Sequence, residues 1–156
     1  MKRKSKIAIF LIVGGFALVN VIWFTTIKVQ YAPYKSIVPL NEEFNVRHVD
    51  NSEKNLSYGY DTPGYLRLTG NLYYTQKFPE DKIAYTFIIW PKLFKDEEYG
   101  VIVHEQGKAY QIEITSTLDV RGKDIDDPFS KELLENHHEQ LETVLADARE
   151  TFKLND

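Results

Sequence analysis

The feature that most constrains this chain is an apolar run near its start, from Ile7 to Ile27. The run is 21 residues long, and three lysines and one arginine lie within the six residues that precede it. At a helical rise of about 1.5 Å per residue, the run reaches roughly 31 Å, which matches the hydrocarbon core of a bilayer. The sequence therefore predicts one transmembrane helix over residues 7–27, in contact with the lipid bilayer.

A cleaved signal peptide is the alternative for such a run, but it has a shorter apolar core and small residues at its cleavage site. Bulky residues, including Trp23 and Phe24, occupy the end of this run, which favours an uncleaved anchor. After the run, Lys28 and Lys35 are the only basic residues within about 15 positions. The positive-inside rule then predicts a cytoplasmic tail at residues 1–6 and an extracytoplasmic domain attached to the cell membrane.

The remainder of the chain is acidic and has no cysteine. The whole chain carries 19 Lys and Arg against 23 Asp and Glu, and without the four basic residues of the tail the balance is 15 against 23, or −8. An acidic surface argues against a nucleic-acid partner, because binding to phosphates needs basic side chains. The absence of cysteine from the sequence excludes disulfides and thiolate metal sites. The 126 residues after position 30 are enough for one domain with a core.

Residue patterns predict that this domain is rich in strands. Residues 28–55 contain two prolines and are interpreted as a stalk with a possible first strand, and residues 56–156 as the domain proper. Period-two alternation from Tyr65 to Gln76 predicts a strand. The run Ile83–Trp90 is apolar at both odd and even positions, which predicts a central strand covered on both sides.

A hairpin is predicted around Gln106 and Gly107, a dipeptide suited to a two-residue turn. The register that this turn imposes brings apolar residues together on one face. The pairs are Val103 with Tyr110, Val101 with Ile112 and Tyr99 with Ile114.

A helix is predicted after Asp127, which is placed to cap it, with Pro128 as its first residue. Apolar residues then recur at a spacing of seven, at Leu134, Leu141 and Ala148, which indicates one amphipathic helix. The expected fold class is α+β: an antiparallel sheet of four or five strands with a long C-terminal amphipathic helix packed on one face.

Candidate binding residues lie on the more polar side of the strand predicted from Tyr65 to Gln76. Exposed tyrosines beside hydrogen-bonding side chains are typical of surfaces that recognise proteins or sugars. The predicted binding residues are Tyr65, Arg67, Asn71 and Tyr73.

A metal site is a weaker hypothesis. His138 and Glu142 are four residues apart on the predicted helix and approach the His-Glu-x-x-His zinc pattern without its second histidine. Aspartates gather before the helix at Asp119, Asp124, Asp126 and Asp127, but their spacing fits no EF-hand. No cofactor is expected.

The sequence has no nucleophile elbow and no phosphate-binding loop, so we do not expect an enzyme. The predicted function is that of a membrane-anchored binding module for an envelope component, with an envelope or membrane protein as partner. One alternative is a membrane-anchored hydrolase that acts on wall polymer or peptide. Another is an accessory subunit of a membrane complex.

Overall fold

The structure, a computed structural model, describes residues 3–43, 45–92 and 96–154, with side chains from residue 7 onward except that of Ala8. The side chains of the predicted basic tail therefore lie outside the described part. The helices are α1 (Arg3–Tyr31), α2 (Tyr34–Ile37), α3 (Pro128–Asn136) and α4 (His138–Phe152), with a 3-10 turn at Gly122–Asp124. The strands are β1 (Leu40–Asn41), β2 (Val46–Asn51), β3 (Leu56–Asp61), β4 (Asn71–Phe78), β5 (Ile83–Trp90), β6 (Glu98–Glu105) and β7 (Lys108–Ile114).

The fold is α+β, as predicted, but the sheet is larger than expected. Within the described residues it has seven antiparallel strands, each hydrogen-bonded to its neighbours in chain order from β1 to β7. The prediction of four or five strands was wrong because residues 40–61 supply three of them. β3 carries Ser57, Gly59 and Asp61, residue types that are poor in strands on their own, so its pairing with β2 and β4 decides its conformation.

The predicted hairpin is confirmed. β6 and β7 pair in the register that places Gln106 and Gly107 at the turn, with Val103 opposite Tyr110 and Val101 opposite Ile112. Both turn residues have positive φ, 52° at Gln106 and 76° at Gly107. This backbone matches the twist of the flanking strands, so the turn keeps the apolar side chains of both strands on one face.

The helices cover one face of the sheet. On β5, Tyr85, Phe87 and Ile89 point into the core and are buried, whereas Thr86 and Ile88 on the opposite face are only half-buried. The expectation that β5 is covered on both sides was therefore wrong, and its apolar residues on the second face lie on an open surface. We call this uncovered side of the sheet the open face.

The C-terminal helix is interrupted where one helix was expected. Asp127 does cap α3, since its carboxylate accepts hydrogen bonds from the backbone N–H groups of Phe129 and Ser130 at 3.3 and 3.1 Å. His137 then leaves the helical conformation, with φ −113° and ψ 11°, and α4 begins at the next residue. The His137 ring contacts Tyr85 on the sheet, and this tertiary contact accompanies the break in the helix.

The end of α1 belongs to the core of the domain. Ile27 and Tyr31 are buried, and Tyr34 and Val38 of the following segment are buried beside them. Residues 28–55, interpreted from the sequence as a stalk with a possible first strand, thus contain the last turn of α1, the short α2 and the first two strands. Among the described helices, α1 is long and apolar enough to cross a membrane, over Ile9–Tyr31.

Candidate functional site

The open face consists of rows of residues that lie opposite one another on neighbouring strands. Two adjacent rows cross the sheet from β2 to β7, so their side chains are neighbours. The first row is His48, Gly59, Tyr73, Ile88, Gly100 and Glu113, and the second is Asp50, Ser57, Thr75, Thr86, Ile102 and Gln111. The apolar side chains of these rows, Tyr73, Ile88 and Ile102, lie on the middle strands β4 to β6. Polar residues surround them, including Thr75 and Thr86, whose hydroxyls are hydrogen-bonded at 3.0 Å.

Tyr73 is held against the sheet by its neighbours. Its ring stacks on His48, with centroids 5.9 Å apart, and its hydroxyl lies 3.0 Å from Nδ1 of His48. A Cβ at Gly59 would collide with the Tyr73 ring, so the missing side chain lets Tyr73 lie across β3. Burial raises the pKa of Tyr73, and nearby Asp61 adds to the effect, so the hydroxyl stays protonated.

Trp90 covers a second glycine on the same face. A Cβ at Gly100 would lie 2.9 Å from Cη2 of the Trp90 ring, so the indole lies directly over that backbone. Both large aromatic side chains of the open face thus lie flat on the sheet, each over a glycine of the adjacent strand. A surface built in this way presents aromatic area with little freedom to rearrange.

A pocket of about 430 Å³ adjoins Trp90 at the end of the sheet near α1. Its charged residues form ion pairs: Lys92 Nζ lies 2.9 Å from Glu98, and Arg121 lies 3.7 Å from the same carboxylate. These side chains are substantially exposed, so the pairs contribute little to stability. They place charges of both signs at the margin of the apolar region.

The structure separates the four predicted binding residues. Asn71 and Tyr73 lie on β4, but Tyr65 and Arg67 lie in the loop Thr62–Gly70, so the strand predicted from Tyr65 was wrong in its first half. Positive φ at Leu66, 60°, bends the backbone out of the extended form. Tyr65 and Arg67 instead contact α1: the Tyr65 hydroxyl donates to Asn20, and the Arg67 carbonyl accepts from Trp23 Nε1 at 2.7 Å.

His138 and Glu142 lie on the exposed side of α4, near the loop of residues 116–118. Within the described residues, no group of three or more histidine, aspartate or glutamate side chains is arranged to hold a metal ion. Two members of the aspartate cluster have local partners, since Asp127 caps α3 and Asp119 accepts a hydrogen bond from Thr117 Oγ1 at 2.6 Å.

A cluster of His137, Tyr85 and Glu105 on the covered side of the sheet was not foreseen from the sequence. His137 Nδ1 lies 2.9 Å from the Tyr85 hydroxyl, and His137 Nε2 lies 3.8 Å from Glu105. Burial raises the pKa of Tyr85 to about 12, with Glu105 and Asp81 adding to it, so this hydroxyl is a poor nucleophile at neutral pH. The cluster connects the helix break to the sheet, which is a structural role.

The open-face residues Ile88 and Trp90 were also not singled out from the sequence, and His48 was considered only as a possible metal ligand. The signal for them in the sequence is the second apolar face of Ile83–Trp90, which predicts a covered strand as readily as an apolar surface. Comparisons of the chain with protein-family models, curated proteins and solved structures find no match.

Proposed function

We propose that this chain is a single-pass membrane protein with its N-terminus in the cytoplasm, whose extracytoplasmic domain binds an envelope protein through the open face. The observation that carries the proposal is the apolar centre of that face, where Tyr73, Ile88 and Trp90 are only half-buried and do not pack against the core. Aromatic side chains held rigidly are typical anchors of protein interfaces.

The arrangement of charge on this face supports a protein as the partner. Apolar side chains lie in the centre, and charged residues such as Lys92, Glu98 and Arg121 lie at one end. An apolar core with a polar rim is the usual composition of a protein interface. The mixed signs at the rim favour a partner that also carries charges of both signs, rather than a uniformly charged polymer.

The attachment of α1 supports a partner in the same membrane. The end of the sheet where β4 begins lies against the end of α1, because Tyr31 accepts a hydrogen bond from the N–H of Gly70 at 2.7 Å. Gln30 also donates to the carbonyl of Pro91 at 2.8 Å, just after β5. The domain therefore follows directly from the helix. The end of the open face that carries Trp90 then stays near the bilayer, within reach of the outer parts of neighbouring membrane proteins.

The test is site-specific photocrosslinking of the full-length chain in its native membrane. A photoreactive amino acid at Ile88 or Ile102 probes the open face, and one at Thr143 or Asp147, exposed on α4, is the matched control. We expect one membrane protein to be captured from the open-face positions and not from the helix positions. Equal capture from both sets, or none from the open face, would contradict the proposal.

A substitution on the open face adds a second readout. Ile88→Arg places a charge at the centre of the face, and we expect it to abolish capture from Ile102, because burying an unpaired charge in an interface is costly. Thr143→Arg adds the same charge on the opposite side of the domain and should leave capture unchanged. Loss of the captured protein when this chain is deleted would mark the chain as an accessory subunit that stabilises its partner.

A further inference from the structure

The loop Thr62–Gly70 lies beside the predicted membrane span, and three of its exposed residues are large and apolar. Tyr65, Leu66 and Leu68 are each at least half exposed, at 58%, 50% and 54%. A loop facing water is usually polar, and a left-handed position such as Leu66 usually carries glycine or asparagine. Three large exposed apolar side chains on one short loop therefore indicate that the loop contacts an apolar environment.

Direct contacts fix the height of this loop along α1. The Tyr65 hydroxyl donates to Asn20, and its ring packs edge-on against Trp23 with centroids 5.3 Å apart. Trp23 in turn donates to the backbone carbonyl of Arg67. Asn20 and Trp23 are about one turn apart on α1, so the loop runs alongside the helix at their level.

That level lies inside the span. A bilayer core takes about 20 helical residues, so a span that starts at Ile7 ends near Thr26, and Asn20 lies about 9 Å below that end. The exposed charged residue Lys28 follows this end point, and Ile27 is buried against the domain. Placing the interface at Trp23 itself, as in an aromatic belt, still leaves the loop at the boundary between headgroups and acyl chains.

The hydrogen bonds of Asn20 fit a water-poor surrounding. Its side-chain nitrogen donates to the carbonyl of Phe16 at 2.8 Å, and its oxygen accepts from Tyr65. A polar side chain within a span is costly unless it is paired. The loop supplies the partner, which gives this otherwise unexplained polar residue a role.

We propose that the loop Thr62–Gly70 enters the outer leaflet beside α1 and forms a second membrane contact. Tyr65, Leu66 and Leu68 lie among the upper acyl chains, and the Arg67 side chain extends to the lipid phosphates. The inference rests on the proposed membrane span of α1. Together with α1, this contact fixes the tilt of the domain and therefore the direction in which the open face points.

The experiment uses full-length protein in phosphatidylcholine–phosphatidylglycerol vesicles. The sequence has no cysteine, so single cysteines can be introduced and labelled with an environment-sensitive fluorophore. Leu66→Cys and Leu68→Cys probe the loop, and Glu80→Cys, in the turn at the opposite end of the sheet, is the matched control. Phe16→Cys, exposed on α1, reports whether the helix is in the bilayer.

We expect nitroxides on the lipid acyl chains to quench the labels at Leu66, Leu68 and Phe16, and aqueous iodide to quench only the label at Glu80. Quenching of the Leu66 and Leu68 labels by iodide, as at Glu80, would overturn the inference. Protection from both quenchers would also overturn it, because the loop would then be covered by protein. A Phe16 label that lipid nitroxides do not quench would contradict the membrane span itself, which distinguishes the two failures.

Discussion

At the scale of single residues, the two glycines under Tyr73 and Trp90 shape the open face. A Cβ at Gly59 would meet the Tyr73 ring and the carbonyl of Arg47, and the carbonyl cannot move away cheaply. We expect Gly59→Ala to lower the free energy of unfolding by about 1–3 kcal/mol through overpacking. Denaturant titration followed by tryptophan fluorescence measures this.

Gly64→Ala is the matched control for that substitution. The atom nearest to its added Cβ is Arg67 Cδ at 3.9 Å, an ordinary contact, and its φ is not in the left-handed range. We expect a change within about 0.5 kcal/mol. Equal stabilities for Gly59→Ala and Gly64→Ala would show that Tyr73 does not lie over Gly59.

Asp127 makes a pH-dependent contribution to stability. Hydrogen bonds lower the pKa of its carboxyl below the usual 3.8; the largest effect comes from the Ser130 hydroxyl, at 2.6 Å. Because the folded pKa is lower than the unfolded one, the contribution is present above pH 3.8 and is lost as pH falls through the folded value. In thermal melts, Asp127→Ala should lower Tm at pH 7, and the difference from the parent should shrink below pH 3.8. A difference that is the same at both pH values would contradict the cap.

At the scale of elements, the end of α1 acts as a core element of the domain. Tyr31 is 1% exposed, stacks on Tyr60 with centroids 5.8 Å apart and accepts the N–H of Gly70. We expect Tyr31→Ala to cost about 3–5 kcal/mol, the usual effect of truncating a buried aromatic residue. Chemical denaturation of the detergent-solubilised chain, followed by near-ultraviolet circular dichroism, is the measurement.

Val29→Ala provides the control on the same helix. Val29 is 67% exposed and lies two residues before Tyr31, so its truncation changes helix composition without removing a core contact. Its effect should stay within about 0.5 kcal/mol. If Tyr31→Ala were equally mild, α1 would be a tether to an independently folded domain.

At the scale of the whole molecule, buried tyrosines make the domain sensitive to alkali. Burial raises the pKa of Tyr34, Tyr74 and Tyr85 to about 12. An unfolded tyrosine ionises near pH 10, so the folded state is favoured fully below that value and loses this advantage as pH rises toward 12. We expect the free energy of unfolding to fall steeply between pH 10 and 12.

The variant Tyr74→Phe/Tyr85→Phe tests the cause of that fall. It has two fewer groups that ionise on unfolding, so its stability should decrease less between pH 9 and pH 11.5, even if its stability at pH 9 is lower. The fall in stability between pH 9 and pH 11.5 is compared between the variant and the parent. This comparison separates the effect of tyrosine ionisation from that of lost hydrogen bonds, which lower stability at both pH values. An unchanged fall would mean that other groups cause the alkaline sensitivity.

Local patterns were enough to predict several parts of this molecule. The apolar run, the α+β class, the register of β6 with β7 and the Asp127 cap each depend on residues close together in sequence, and the described structure contains them. Turn chemistry and side-chain periodicity are local properties, so one sequence carries them. The role of the chain and its placement in a membrane remain proposals.

Tertiary contacts decided the rest. Hydrogen bonds to neighbouring strands make β2 and β3 part of the sheet, and His137 leaves the helix where it meets Tyr85. The first half of the predicted strand is a loop against α1, with positive φ at Leu66 and a hydrogen bond from Gly70 to Tyr31. The apolar second face of β5 gave no indication of whether a helix covers it. These features depend on which distant segments meet, and such contacts override local propensity because burial and hydrogen bonding outweigh differences of about 1 kcal/mol per residue.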